Sequence, residues 1–400
     1  MGTNVIEAVD TRARGLRTRR AEAVEAASFI RRLDWVLLLA TAALVGYGLW
    51  AIAGITRHDV AGNANYYVVR QAVYVALGVA ALAVALLIDP DVYRRYRNAI
   101  YGSTVGVMLI VLAAGTVTRG SKRWLDFGFF RFQPSEFGKV FIVLFLAGFL
   151  ADRYKRVGDS RTAFAALGFA LAPIFLVFVQ PDVGTALVYG IALAGVLFLA
   201  GTRWTHLAAF GVGALVLALL VLWLLPKGGV HVLKPYQAER LYGFTNPDRD
   251  PGGTTYNVRQ SINAVGAGQW HGRGVNGATQ TNLNFLPEHA TDFVFASLAE
   301  ERGFVGVSIL LLLYLLVVWR ALKVIAVARD AFSAIAAGGI VVALLFQVFV
   351  NVGMTLGIAP VTGIPLPFVS VGGSSMIANL LAIGILEAIH VRGTAYSRRR

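Results

Sequence analysis

The sequence predicts an all-α, polytopic membrane protein with about ten transmembrane helices and a long extracytoplasmic loop. Hydrophobic residues make up 57% of the 400 residues, and charged residues only 14%. The mean hydropathy of +0.65 is higher than a soluble chain of this length needs to fill its core. Segments of about 17 to 25 mainly apolar residues are typical of helices that span a bilayer.

Ten such segments are found, and the rest of the chain divides around them. To within several residues the spans are 34–55, 68–88, 99–117, 136–151, 162–179, 183–200, 206–225, 293–319, 333–356 and 372–391. They form one membrane domain, residues 34–391, which includes the extracytoplasmic loop 226–291. An N-terminal tail (1–33) and a basic C-terminal tail (392–400) flank this domain.

The basic residues predict the orientation. Of the 36 Lys and Arg residues, 22 lie on the side that holds both termini, so we expect that side to be the cytoplasm. The short outer loops are poorer in basic residues, except for four between Arg119 and Arg131. Cations placed against the general trend are suited to meeting an anion there.

Composition excludes several classes of site and partner. The absence of cysteine rules out disulfides and Cys-ligated metals. The net charge of +14 does not indicate nucleic acid, because anionic lipid and the positive-inside bias explain it. The polar first 30 residues, rich in Ala, Arg and Glu, do not resemble a cleavable signal peptide and indicate a tail rather than a folded domain.

The first motif precedes and opens the fourth span. Glu136 and Lys139 are three residues apart and share a helix face. Either they form a self-neutralising ion pair, or Lys139 and neighbouring cations face a phosphate-bearing headgroup. The other candidate substrate-binding residues here are Arg119, Lys122, Arg123, Trp124, Gln133 and Ser135.

Two further motifs offer polar groups near the outer surface. In the segment 180–185, Gln180, Asp182 and Thr185 surround a Pro-Gly turn, and Asp182 or Thr185 also suits a helix cap. The 66-residue loop 226–291 is too long for a plain connector. Its Tyr, Asn, Gln and Arg residues suit sugar hydroxyls, although many solvated loops share this composition; the candidates are Gln260 and Ser261.

The segment 363–375 lies between the last two spans. Its Gly-Gly-Ser-Ser sequence at a helix start suits anion binding or a re-entrant piece of backbone. A flexible turn capped by a serine is the alternative. The candidate residues are Ser370, Gly372, Gly373, Ser374 and Ser375.

Asp292 lies where the polar loop meets the eighth span. A carboxylate at the boundary between water and lipid is costly unless it has a partner or a chemical task. Thr291 or Asp292 could instead cap the helix that follows. This stretch alone does not decide between capping and catalysis.

Taken together, the motifs resemble those of the SEDS family of bacterial membrane glycosyltransferases (shape, elongation, division and sporulation). The resemblance runs from Asp34 to about Val391, and its wording is closer to the elongation-type members. It departs from the family at two positions: the histidine is His289, one place early, with Ala290 before Thr291, and Val371 replaces the usual tyrosine. The motifs, in family order, are 123–124 with 133–136, 180–185, 279–288 ahead of 291–293, and 361–368 before 372–375.

The resemblance implies a peptidoglycan polymerase that uses lipid II, a disaccharide-pentapeptide on a polyprenyl diphosphate. It implies that Asp292 is the catalytic base of one inverting displacement at the outer face of the plasma membrane, during cell elongation. Side-chain cations would stabilise the leaving diphosphate, and a bound divalent ion (Mg²⁺ or Mn²⁺) is an alternative source of positive charge. No other cofactor is expected. The implied partners are a single-span class B penicillin-binding protein, a transpeptidase, and the elongation machinery.

Two other classes of function fit parts of the sequence. A lipid II flippase also has many spans with charges inside them, here Glu300, Glu301 and Arg302. A non-enzymatic scaffold would not need Asp292. Most polar motifs lie near the outer ends of their spans, which favours chemistry at one face.

Overall fold

The computed structural model describes residues 29–118, 121–128, 130–229 and 254–397. Ten apolar helices in this part of the chain match the ten predicted spans, which confirms the fold class. Most ends agree to within a few residues, but the helices of the eighth and tenth spans continue eight and six residues past their predicted ends, to Val327 and Ser397. Nine are at least 18 residues long, and the remaining one, Val183–Leu199, is slightly shorter. The described helices are α1 (Trp35–Ile55), α2 (Tyr66–Leu87), α3 (Pro90–Arg95), α4 (Arg97–Ala114), α5 (Pro134–Ala151), α6 (Ser160–Val179), α7 (Val183–Leu199), α8 (Trp204–Lys227), α9 (Thr254–Gly268), α10 (Thr279–Asn282), α11 (Val294–Val327), α12 (Ala331–Thr355) and α13 (Gly373–Ser397).

Helix α5 lies at the centre of the bundle, and almost all of its residues are buried. Helices α12 and α13 are also largely buried, whereas none of the residues of α8 is buried. The inner helices carry the polar side chains Glu136, Lys139, Gln347 and Asn351, which are all buried. Protein contacts therefore replace lipid around groups that would be costly to expose to hydrocarbon.

Helix α11 is broken at Gly303, where φ is 64° and ψ is −165°. The loop 269–274 pairs with the break, since the N–H groups of Arg273 and Gly274 donate to the carbonyls of Glu300 and Glu301. In return, the N–H groups after the break donate to carbonyls at 269 and 270. The break is thus satisfied by other backbone, as backbone within a membrane must be.

Two local structures complete the described part of the chain. A small antiparallel sheet of β1 (Thr116–Thr118), β2 (Ser121–Asp126) and β3 (Arg131–Phe132) follows α4. We did not predict strands here; the third predicted span ends earlier than 117 because the chain enters β1. The segment 356–372 enters the bundle as irregular backbone: the Phe368 carbonyl packs against Gly48 within α1, and the Pro367 carbonyl accepts from Tyr314. This supports the re-entrant interpretation.

Candidate active site

The turn before α11 carries Asp292, whose side chain is half-buried. The N-cap position of α11 is Phe293, which makes no side-chain capping bond. The Thr291 hydroxyl donates to the carboxylate of Glu288, at 2.9 Å, so it does not cap the helix. Asp292 lies one residue before the cap position.

Four consecutive residues of this turn are tied to three different parts of the molecule: the segment after α1, segment 370–371 and α12. The His289 ring contacts Asp59, just after α1, and the Ala290 carbonyl accepts from the N–H of Val371. The Thr291 carbonyl accepts from the hydroxyl of Ser370. The carbonyl of Asp292 accepts from Asn351 Nδ2 of α12 at 2.9 Å. These contacts fix the backbone of Asp292, whose side chain is half-buried.

The displaced histidine has its own charged partner. His289 Nε2 lies 3.0 Å from both carboxylate oxygens of Asp59. Burial by itself would lower the pKa of His289, but the hydrogen bond and charge of Asp59 outweigh it, so this pKa is raised above its ordinary value.

Lys139 and Glu136 form the predicted ion pair, with Nζ 2.7 Å from Glu136 Oε2. The same ammonium lies 2.7 Å from Gln347 Oε1 of α12. Gln347 and Asn351 are one helical turn apart, which places their Cβ atoms about 6 Å apart on one face. One face of α12 thus holds both the Lys139 ammonium and the backbone of Asp292.

A second polar cluster gathers around Asp182. Its carboxylate caps α7 by accepting from the N–H of Thr185, which confirms the capping alternative. It also lies 3.2 Å from the Arg123 guanidinium and 3.1 Å from Gln133 Nε2. The N–H of Gln133 donates to Ser374 Oγ at 2.8 Å, which brings the segments 133–136, 180–185 and 372–375 together.

The structure gives several other predicted residues local contacts. Gln180 donates to the Met108 carbonyl, and the buried hydroxyl of Ser261 donates to the Thr355 carbonyl, so both hold helices together. Gln260 is half-buried on α9, and Lys122 is exposed on β2. The Ser135 hydroxyl accepts from the Gln133 amide, and the Trp124 ring stacks with the Arg123 guanidinium. The Gly372 N–H donates to the Gln71 side chain, Gly373 packs on Tyr74 and Phe130, and the Ser375 carbonyl accepts from the Asn379 amide. Arg119 lies outside the described residues.

Sequence reasoning missed four residues that hold the site together. Gln347 and Asn351 are amides four residues apart in an otherwise apolar span, a pattern that could have marked them. Gln71 of α2 donates to the Ser370 carbonyl and accepts from Gly372, and it too interrupts an apolar helix. No local sequence pattern marks Asp59, because its partner is 230 residues away.

The described residues contain no group of three or more His, Asp or Glu side chains placed to hold a metal ion. Asp59 is already paired with His289, and the Glu300 carboxylate accepts from the Gln280 and Thr281 N–H groups. We assign no step of the reaction to a divalent ion.

Comparison with known proteins places this geometry in a family. A family model described as "Cell cycle protein", covering FtsW, RodA and SpoVE, matches residues 31–395. The chain belongs to the SEDS family. The SEDS member MrdB of Escherichia coli (strain K12), a peptidoglycan glycosyltransferase, is 36% identical over 366 residues, which are 92% of this chain and 95% of the relative. Stage V sporulation protein E of Bacillus subtilis is 33% identical over 354 residues, 88% of this chain and 93% of the relative.

Solved SEDS structures share the fold. A chain from a peptidoglycan synthase complex, described as coordinating polymerization and crosslinking, has a TM-score of 0.76 at 30% identity and covers 90% of this chain and 98% of its own. RodA from Thermus thermophilus has a TM-score of 0.66 at 28% identity, covering 90% and 96%. The SEDS match spans the whole membrane domain and all four sequence motifs.

Proposed function

We propose that this SEDS protein polymerises peptidoglycan from lipid II at the outer face of the plasma membrane, with Asp292 as the general base. Peptidoglycan glycosyl transfer in the maintenance of cell shape is the activity that family membership supports. The observation that carries the proposed role of Asp292 is the placement of one half-buried carboxylate whose backbone is held from α12.

The chemistry needs one base and positive charge. The acceptor sugar hydroxyl gives its proton to the Asp292 carboxylate as its oxygen attacks the anomeric carbon of the donor. The bond between that carbon and the diphosphate oxygen breaks, and polyprenyl diphosphate leaves from the opposite face, so the configuration inverts. A leaving diphosphate is stabilised by cations rather than by a proton donor.

The candidate cations differ in how they are held. Lys122 is exposed on β2, while Arg123 is paired with Asp182 in the second polar cluster. Lys139 is buried with two acceptors, so we assign it to the electrostatic field of the site rather than to a solvent-exposed contact. Arg119 stays a prediction from the sequence.

The transporter alternative loses one of its supports. Glu300, which interrupts the eighth span, is fully buried and its carboxylate accepts from the Thr281 N–H and hydroxyl. It thus anchors the short helix α10, which is a structural task.

We further propose that both termini face the cytoplasm and that a class B penicillin-binding protein of the elongation machinery is the partner. Support for the partner comes from the related chain in a synthase complex that couples polymerization with crosslinking. Co-purification from detergent-extracted membranes tests it, and the recovery of the protein without any penicillin-binding protein would contradict it.

Reconstitution tests the activity itself. Purified protein in liposomes containing lipid II, with no other enzyme, should form glycan polymer resolvable by gel electrophoresis. Liposomes with heat-inactivated protein are the control. Unchanged lipid II in the presence of correctly folded protein would contradict the proposal.

A further inference from the structure

We propose that Asp59 and His289 are positioning residues that fix the turn carrying Asp292 through a charged contact with the outer end of α1. The inference rests on the proposed function, because it assigns these two residues a task in the same site. Neither is expected to touch substrate.

The geometry requires a doubly protonated imidazole. His289 Nε2 faces both carboxylate oxygens of Asp59 at 3.0 Å, and Nδ1 lies 3.2 Å from the Leu286 carbonyl oxygen. Both neighbours can only accept hydrogen bonds, and a neutral imidazole has only one N–H to donate. The imidazolium form alone satisfies both contacts.

The pair is shielded from solvent. His289 and Asp59 expose 10% and 16% of their side chains. A partly buried charge pair is screened less by water and salt than a surface pair. The charged groups acting on this imidazole are Asp59 after α1, Glu288 in its own turn and Glu301 in α11, and the pKa of His289 is raised despite the lowering effect of burial.

The contact acts on a short and tightly folded piece of backbone. Glu288 has φ of 58°, a left-handed conformation that is strained for a residue with a Cβ. Its carbonyl accepts from the N–H groups of Thr291 and Phe293, which closes the turn around Asp292. The His289 carbonyl accepts from the Ser297 hydroxyl of α11. Loss of the His289 contact therefore frees the turn on the side of α1.

The contact has a defined pH dependence. Because the pKa of His289 is raised in the folded protein, the imidazolium that pairs with the Asp59 carboxylate persists below that raised value and is lost as pH rises through it. A general base works in the opposite direction, since Asp292 must lose its proton to accept one. The rate of a site with an ionised base should therefore fall on the alkaline side as His289 loses its proton.

Steady-state polymerisation of lipid II by the reconstituted full chain, measured across pH, tests the inference. His289→Ala should lower kcat on the order of tenfold to a hundredfold with little change in KM, because a misplaced base weakens chemistry more than binding. Asp59→Asn should shift the alkaline limb to lower pH, because the carboxylate that holds the proton on His289 is gone. His289→Gln, which keeps a neutral N–H donor towards Asp59, should recover much of the rate and lose the alkaline limb set by the pair.

His58→Gln is the matched control. His58 neighbours Asp59, is exposed and contacts only the side chain of Asn282 among the contacts described for it, so its kcat and pH profile should match wild type. Wild-type kcat and pH profile in both His289→Ala and Asp59→Asn would overturn the inference while leaving the activity intact. An inactive but folded wild-type protein would instead contradict the proposed function. If His289→Ala does not fold, the pH profile of Asp59→Asn decides alone.

Discussion

Two acceptors hold the Lys139 ammonium group inside the bundle. Both Lys139 and Glu136 expose no more than 5% of their side chains, so each charge depends on its partner rather than on water. Removing one member of a buried ion pair costs more than replacing both with neutral groups of similar shape. The contribution of the pair to stability can therefore be separated from its electrostatic contribution to activity.

Substitution of Lys139 by Met should lower stability on the order of 3 kcal/mol, because Glu136 is left buried without its cation. The double variant Glu136→Gln, Lys139→Met should recover most of the melting temperature. If the charge of Lys139 serves the departing diphosphate, the double variant stays inactive despite its stability. Recovery of both the melting temperature and lipid II polymerisation would contradict an electrostatic role in the site.

At the level of single residues, the sequence predicted more about Asp292 than about what holds it. A carboxylate between a polar loop and an apolar run is visible from the residue order alone. The Asn351 and Asp59 contacts are long-range, 59 residues away from Asp292 and 230 from His289 respectively. Residue types alone do not specify such pairings.

Helix α11 shows the same limit at the level of an element. The apolar run predicted one span beginning at 293, and the helix does begin at Val294. The break at Gly303 depends on the loop 269–274, whose backbone approaches too closely for any larger residue. A pattern of hydrophobicity predicts that a helix crosses the membrane but not which distant loop pairs with it.

Gly303→Ala should destabilise the protein on the order of 3 kcal/mol. An added Cβ would lie 2.4 Å from the Gly272 nitrogen, and the positive φ of 64° disfavours any residue with a Cβ. Gly168→Ala in α6 is the control, because nothing lies within 4 Å of its Cβ position. Thermal melting in detergent measures both variants; equal melting temperatures would contradict the account of the break.

For the whole molecule, the lipid bilayer made the fold predictable. Backbone that crosses lipid must satisfy its own hydrogen bonds, so apolar segments of spanning length predict helices. Segment length and composition were therefore sufficient to locate the ten apolar helices of the described residues. The described segments around the candidate site, by contrast, pair with one another: the turn at 288–292 contacts segment 370–371, and Gln133 contacts Ser374. These contacts, which build the candidate site, follow from packing rather than from hydropathy.

The orientation of the molecule is tested with single cysteines, since the chain contains none of its own. Ala61→Cys lies in the exposed segment between α1 and α2, and Ser160→Cys is exposed at the start of α6. With the termini in the cytoplasm, an impermeant thiol reagent applied to intact spheroplasts should label position 61 and not position 160. The reverse labelling pattern would contradict the proposed orientation.

The most direct test of the central claim is lipid II polymerisation by purified Asp292→Asn. Asparagine keeps the size of the side chain and caps a helix about as well as aspartate, and the backbone carbonyl that binds Asn351 is unchanged. Yield and melting temperature should therefore match wild type. Loss of a general base typically costs 10²- to 10⁴-fold in rate, so we expect polymer formation to fall by about that factor. Near-normal polymer from folded Asp292→Asn would show that Asp292 is not the base.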